Sequence, residues 1–441
     1  MRGRKITEWI IDNLVPIIFV LFTIVGFSVS DDVPLVFFFR ELSSRFFRNI
    51  ILVLSLVIPV IAGLGLNFGI VIGAMAAQAA LVLVRFFDAG GIPGTLLWFA
   101  LSFPVALFLG YLTGKLFNKT RGQEMIAGLI VGFFANGVYQ FVFLYCVGGL
   151  IKVPADHPMV KPDGVGLRAT IDMGKPAEGG LQYAIDGIAK MPLVWALLLA
   201  SVIGLVVLFF IYRKRRMLNR AESKFGYYFK AAVLLVAAFF LAGEIRGNTM
   251  LMNVEIPLVT SVIVVLVCIM TQWLVETKLG QDFNSVGKSQ YISKVSGIDV
   301  DRKRIIAVMM STVLAAFGQI IYLQDMGTFN TYSSHEQIGM FSVAALLVGG
   351  ASVAKANIGH AILGTILFNA MFIISPEIGQ AVFGQVLLGE YFRTFMVYGV
   401  IGLALGIYVW KTNRQKSLLI IKEASDSVSG YASGNSQEVK N

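Results

Sequence analysis

The stretch Leu279–Arg304, LGQDFNSVGKSQYISKVSGIDVDRKR, lies between two apolar runs, Ile256–Val275 and Ile305–Leu323. Each run holds about 20 residues, which is what a helix needs to cross the hydrocarbon core of a bilayer. A connector between two such runs is ordinarily a short polar link. This one is polar and basic, carries the turn residues Gly280, Gly287 and Gly297, has a helix-like centre and closes on Arg302, Lys303 and Arg304. It reads as a structured surface, held between membrane helices, on which something docks.

Composition extends that reading to the whole chain. Of 441 residues, 56% are hydrophobic and only 14% charged, and the mean hydropathy is +0.76. Soluble domains carry about 25% charged residues. So few charges cannot cover a globular surface in water, and the remainder faces lipid. The net charge of +10 would suggest nucleic acid in a soluble protein. Here the basic residues cluster beside apolar runs, at Arg2, Arg4 and Lys5, at Arg213–Arg216 and at Arg302–Arg304. That is the positive-inside pattern, which orients a membrane protein and leaves no role for nucleic acid. Cys146 and Cys268 both sit in apolar runs, with neither metal-ligand spacing nor a disulfide framework.

Candidate spans are Asn13–Ser28, Ile50–Leu66, Gly69–Phe87, Thr95–Phe117, Met125–Ile151, Met191–Tyr212, Ala231–Ile245, Ile256–Val275, Ile305–Leu323, Phe341–Val353, Ala361–Ile374 and Phe395–Trp410. Several are too short to cross alone. Gly63, Gly65, Asn67 and Gly69 interrupt one apolar stretch, and Val348–Ser352 interrupts another. Such breaks are tolerated at membrane depth only where protein buries them or a cavity adjoins them. The expectation is an all-α polytopic membrane protein of about ten transmembrane helices plus broken or re-entrant helices.

The organisation follows. Residues 1–47 form a first span, uncleaved although Ser28-Val29-Ser30 mimics a processing site, and an interfacial amphipathic helix over Val36–Phe47. Residues 48–410 form the core, and 411–441 a cytoplasmic polar tail, disordered over Ser425–Asn441. Within the core, the Pro- and Gly-rich insert 152–190 falls on the outer side, as a structured hairpin or lid or as a flexible loop. The segment 279–304 falls in the cytoplasm.

Catalytic signals are missing. Gly287-Lys288-Ser289 ends like a phosphate loop, but Asp282 stands where the first glycine is needed and a span precedes it. No nucleophile triad, carboxylate pair or metal-ligand cluster is apparent. His157 and His335 read as solvated loop residues, and His360 as a packed residue at a helix end. Ionisable residues within spans are few, which weighs against an ion-coupled carrier. Small residues such as Gly128 and Gly132 suit close helix packing. The uncharged polar residues Asn67, Gln78, Asn136, Gln140, Gln319 and Asn369 either bond between helices or line a pathway for a neutral or zwitterionic solute.

At these residues the chain resembles a known family. Gly280–Val300, with Val286-Gly287 followed by Ser296-Gly297-Ile298-Asp299-Val300, is similar to a segment of the permeases of bacterial ABC importers for simple sugars, nucleosides and branched-chain amino acids. Ala344–Ala361 with Leu363-Gly364, Gly69–Ala74 and Met125–Leu129 resemble three further stretches of that family. The likeness covers about Ile50–Trp410 of the numbered sequence. Departures are Gly69 for the family's aspartate, Val71 for its serine, and Lys355 and Asn357 within its glycine-rich run.

The resemblance implies a type II ABC importer-like permease without catalytic activity, in the bacterial cytoplasmic membrane. Its implied partners are a cytoplasmic ATP-binding subunit, a second permease copy or homologue, and an extracytoplasmic solute-binding protein. It implies no cofactor in this chain, ATP and Mg being used by the ATPase. Gly280, Gly287, Ser296, Gly297, Ile298 and Val300 would form the ATPase-coupling segment, with Ile298 and Val300 as an apolar plug and Arg302–Arg304 at the inner headgroups. The alternative is an ion-coupled secondary transporter of a small polar solute.

Overall fold

The computed structural model of the chain describes residues 13–29, 34–154, 158–175, 178–217, 224–247 and 250–438. His157 and the first basic cluster lie outside them. Fifteen helices recur along the described residues: α1 (Leu14–Val29), α2 (Leu35–Leu54), α3 (Val57–Ile61), α4 (Ile70–Phe86), α5 (Gly91–Lys119), α6 (Glu124–Phe141), α7 (Leu193–Met217), α8 (Lys224–Gly247), α9 (Leu258–Glu276), α10 (Lys278–Lys288), α11 (Gln290–Val295), α12 (Val300–Met326), α13 (Ile338–Val348), α14 (Ile358–Phe383) and α15 (Val386–Glu438). Four three-residue strands, β1 (Thr170–Asp172), β2 (Lys190–Pro192), β3 (Glu255–Pro257) and β4 (Thr328–Asn330), complete them.

Among the described residues, seven helices are long and apolar enough to cross a membrane, and five more are apolar but shorter. Each of the twelve apolar runs in the sequence has its helix. The fold is that of an all-α polytopic membrane protein with interrupted helices.

Both expected breaks are present. The chain leaves α3 at Ile61 and re-enters helix at Ile70. In the turn, the Asn67 side chain accepts from the N–H of Gly69 at 2.9 Å and donates to the Ser311 hydroxyl at 3.3 Å, so the backbone groups freed by the break are satisfied inside the bundle. The second break follows α13, which at 11 residues is too short to cross. Asn357 then caps α14 by accepting from the N–H of His360 at 2.8 Å.

The bundle is built around α12. Asp299 caps its start, accepting from the N–H of Arg302, and Gly327 ends it in the left-handed region. Helices α2, α4 and α5 pack against it. The approach is close enough at Gly73 of α4 that a Cβ there would overlap the carbonyl of Thr312, as expected where small residues let helix backbones meet. Helix α14 is similarly enclosed, whereas α5, α6, α9 and α15 present apolar residues outward.

Two expectations change. Val36–Phe47 is not a separate interfacial helix. It is the first part of α2, because neither glycine nor proline occurs between Val36 and Ser55 to stop the helix. There Arg45 pairs with Glu41 at 3.2 Å and Arg48 with Asp325 at 3.0 Å, so two of the three arginines of the helix are neutralised. Likewise α15 continues to Glu438 rather than giving way to disorder at Ser425, with no proline after Pro376 to end it.

The insert between α6 and α7 is ordered over its described residues and docks at one end of the bundle. Strand β1 pairs antiparallel with β4, with Ile171 opposite Phe329, and β2 pairs antiparallel with β3, with Met191 opposite Ile256. The Asp186 carboxylate accepts from the Thr260 hydroxyl of α9, and burial pushes its pKa upward. The opposite end gathers α10, α11 and the pair of Arg121 with Asp301.

Candidate functional site

Two regions carry features that packing alone does not require. The first is the α10–α11 segment. Thr277 caps α10 and Ser289 caps α11. Gly280, Phe283 and Val286, three residues apart, share one face of α10 and are buried. Phe283 joins a core cluster with Ile58, Ala62, Leu64, Phe117 and Ala307, and burial of a side chain of this kind contributes about 1.5–3 kcal/mol. Lys303 fastens the other side of α10 through Asp282 at 2.8 Å. Gly287 touches the backbone of the first break, so close to Ile61 that a Cβ would overlap its carbonyl oxygen.

The exposed apolar surface of this segment differs from the expected plug. Val300 is buried against its own chain and Ile298 is half-buried. Tyr291, Ile292 and Val295 of α11 face outward instead, at 79%, 63% and 73% exposure. Gly297 supplies the turn at φ +81° with nothing near it, and Ser296 is exposed. Arg304 does not reach a headgroup region. It is fully buried and pairs with Glu124, while also donating to the Phe117 carbonyl at 3.2 Å. A buried guanidinium requires such a partner.

The second region is a partly open cavity of about 490 Å³ lined by α4, α6, α13, α14, α15 and the loops before α4 and α13. Its walls are partly aromatic, with Phe68, Phe133, Phe341, Phe372 and Tyr398. Its polar end is a connected network. His335 Nδ1 lies 2.7 Å from the Gln78 amide oxygen, and His335 Nε2 lies 2.8 Å from the Asn136 amide oxygen. The Asn136 amide nitrogen donates to Glu336 at 3.0 Å, and Gln140 donates to the Asn136 oxygen at 3.3 Å. Tyr139 packs edge-on against the imidazole at 4.9 Å.

Hydrogen-bond chemistry orders this network. The Glu336 carboxylate accepts, so it fixes the Asn136 amide with nitrogen toward Glu336 and oxygen toward His335. His335 therefore donates from Nε2. Burial drives the imidazole pKa down to about 4, so the ring is neutral at pH 7 and Nδ1 is an acceptor. The partner of Nδ1 must donate, which places the Gln78 amide nitrogen there, the two amide atoms being interchangeable in shape.

The loop bearing His335 and Glu336 is itself held by the insert. Beyond the β1–β4 pairing, the Thr331 N–H donates to Ala169 at 2.9 Å and the Tyr332 hydroxyl donates to Leu167 at 2.7 Å. The insert thus braces the wall of the cavity.

The six polar residues singled out from sequence divide evenly. Gln78, Asn136 and Gln140 meet in the network, and Asn136 lines the cavity. Asn67 bonds within the first break. Asn369 donates to the Thr365 carbonyl and accepts from Asn49. Gln319 is fully buried, and neither of its amide atoms has a partner among the described residues.

Sequence reasoning missed His335, which is buried rather than solvated, together with Glu336 and Arg393. It also gave Gly132 the wrong task. A Cβ on Gly132 would meet nothing within 4 Å, since that glycine faces the cavity, not another helix.

Residues 183–401 match the model of the family described as branched-chain amino acid transport system / permease component. This segment is similar to the transport permeases that the model describes. The matched segment holds α10, α11, the His335 loop and Arg393, while Gln78, Asn136 and Gly132 precede it. Over 195 residues the chain is 26% identical to a xylose transport system permease protein of Haemophilus influenzae, covering 44% of this chain and 48% of that protein. The chain thus spans about half the length of the curated relative it matches. No solved structure matches it significantly. That description, of transport permeases, accords with the apolar helices of this chain.

Proposed function

We propose that the chain is the transmembrane permease subunit of a binding-protein-dependent ABC importer, forming the pathway for a sugar or similar small polar solute and driven by a separate ATPase. The end bearing α10 and α11 then faces the cytoplasm of a bacterial cell and the insert faces outward. This agrees with the basic clusters, which favour the cytoplasmic side.

The observation that carries the proposal is the α10–α11 pair. One face is anchored to the bundle by Phe283, Val286 and the Asp282–Lys303 ion pair, while Tyr291, Ile292 and Val295 stand exposed at the same end. Exposed aromatic and aliphatic side chains on a short, firmly seated element fit a pocket on a partner. A cytoplasmic ATP-binding subunit using ATP and Mg is that partner, with Gly280, Gly287, Ser296, Gly297, Ile298 and Val300 shaping the segment. A second permease copy or homologue and an extracytoplasmic solute-binding protein complete the assembly. The sugar class follows the xylose permease relative and the neutral amides of the cavity.

Co-expression with an ABC-type ATPase and a solute-binding protein from the same genome tests this. Sugar uptake that requires ATP, and co-purification of the ATPase that Ile298→Asp abolishes while the variant stays in the membrane, are the expected results. Sugar transport in proteoliposomes driven by an ion gradient without any ATPase would overturn the proposal in favour of a secondary carrier.

A further inference from the structure

We infer that the cavity within a single copy of the chain is itself a solute site, that it takes an uncharged polyhydroxylated ring of monosaccharide size, and that Asn136 and Glu336 bind its hydroxyls while His335 positions Asn136. This rests on the permease assignment and names the place and chemistry of recognition within it.

Size comes first. The volume of about 490 Å³ lies within the range of about 300–1,000 Å³ usual for small-molecule sites. Phe341, Phe68 and Tyr398, on different walls, offer flat apolar faces. A pyranose ring has such a face in its axial C–H groups and hydroxyls around its rim.

Charge narrows the class. Two charged side chains, Glu336 and Arg393, line the cavity. Arg393 is committed to the Glu390 carboxylate and lies over the Phe372 ring at 4.5 Å. An amino-acid zwitterion would have to draw Arg393 away from Glu390 and the Phe372 ring to pair its carboxylate, a cost that an uncharged solute does not meet. Glu336, by contrast, is exposed and receives the amide N–H of Asn136, so its remaining lone pairs are open to donors. A sugar hydroxyl is a donor without charge.

Orientation supplies specificity. His335, held by Gln78 and donating to Asn136, keeps the Asn136 oxygen turned away from Glu336. The amide then presents one face, and exchange of its oxygen and nitrogen would lose both the histidine and the carboxylate bonds. His335 is a positioning residue: the ring is fully buried, both of its nitrogens are taken by Gln78 and Asn136, and it acts through Asn136.

Gly132 gives a test that spares the backbone, because space is open at its Cβ. The assembled transporter is made with Gly132→Cys in a Cys146→Ser, Cys268→Ser background and treated with a methanethiosulfonate reagent. D-xylose is expected to slow the labelling, L-leucine to leave it unchanged, and completed labelling to block sugar uptake. Sugar uptake that persists after labelling, or labelling that D-xylose does not slow, would overturn the cavity site while leaving the permease assignment intact. Failure of the unlabelled transporter to take up any sugar would overturn both.

The positioning role has its own readout. His335→Phe should raise the D-xylose concentration giving half-protection about tenfold, the equivalent of one hydrogen bond. His335→Gln, which restores a donor, should recover most of it. Equal protection in all three proteins would remove His335 from recognition.

Discussion

Gly63 and Gly287 meet backbone against backbone, and they join the exposed α10–α11 segment to the first break of the bundle. A Cβ on Gly63 would lie 2.6 Å from the Cα of Gly287, and Gly63 itself has φ +73°. Five residues beyond Gly63 stands Phe68, in the wall of the cavity. A displacement of α10 therefore acts first on the turn that carries the cavity wall.

Gly287→Ala should separate these two backbones. A loss of stability of about 1–3 kcal/mol is expected for such overpacking, read as a lower melting temperature of the purified protein. Uptake per ATP hydrolysed should fall in the assembled transporter. Gly132→Ala is the control: its Cβ meets open space, and replacing a mid-helix glycine should raise stability by about 0.5–1 kcal/mol. An unchanged melting temperature for Gly287→Ala would show that α10 can shift without cost.

The buried imidazole gives a dependence on pH with a definite sign. Burial lowers the His335 pKa from 6.5 to about 4. Between those values the unfolded chain binds a proton that the folded chain does not, so folding stability is complete above about pH 6.5 and declines as pH falls toward 4. A shift of that size corresponds to about 3 kcal/mol at most. Melting temperatures of the purified protein from pH 7 to pH 4.5 should fall more steeply than those of His335→Gln. Parallel slopes for the two proteins would contradict the burial of a neutral ring.

His335 also marks the limit of what the chain discloses before folding. Every apolar run became a helix and both breaks fell where Gly63–Gly69 and Val348–Ser352 place them, because hydropathy and helix interruption are local properties. The helical centre of the polar stretch Leu279–Arg304 was legible for the same reason. The burial of His335 was not, since its neighbours Tyr332, Ser333, Ser334, Glu336 and Gln337 read as a solvated loop. Its partners Gln78 and Asn136 are 257 and 199 residues away in sequence. The insert behaves alike: Thr170 finds Asn330 through pairing that no local pattern encodes. Among the polar residues of the spans, periodicity could not separate Asn136, which faces the cavity, from Gln319, which is enclosed in the bundle.

The exposed face of α11 should be silent for folding and decisive for assembly. Ile292→Asp and Val295→Asp alter side chains that touch little of their own chain, at 63% and 73% exposure, so stability should stay within about 0.5 kcal/mol. Co-purification of the ATP-binding subunit should drop sharply in both. Phe283→Ala is expected to act differently, destabilising the permease by about 3–5 kcal/mol through the cavity left in the core. If Ile292→Asp assembled normally, the contact would have to lie elsewhere on the segment.

Arg304 and Glu124 pose the opposite problem, an ion pair buried where it could have been avoided. Arg304 is fully enclosed, and its Nε and Nη1 have no partner among the described residues. Among the described residues, Glu124 supplies the only carboxylate paired with it, across the contact of α12 with the start of α6. Removing one partner strands the other's charge. Glu124→Gln should therefore cost about 3–5 kcal/mol, seen as a large fall in melting temperature. The double change Glu124→Leu, Arg304→Met should recover most of that loss, since an apolar pair avoids the desolvation that the ion pair offsets only in part. A double-mutant cycle on thermal unfolding measures the coupling directly. Additive losses would mean that each charge finds water or another partner in the membrane, and that the pair does not join α12 to α6.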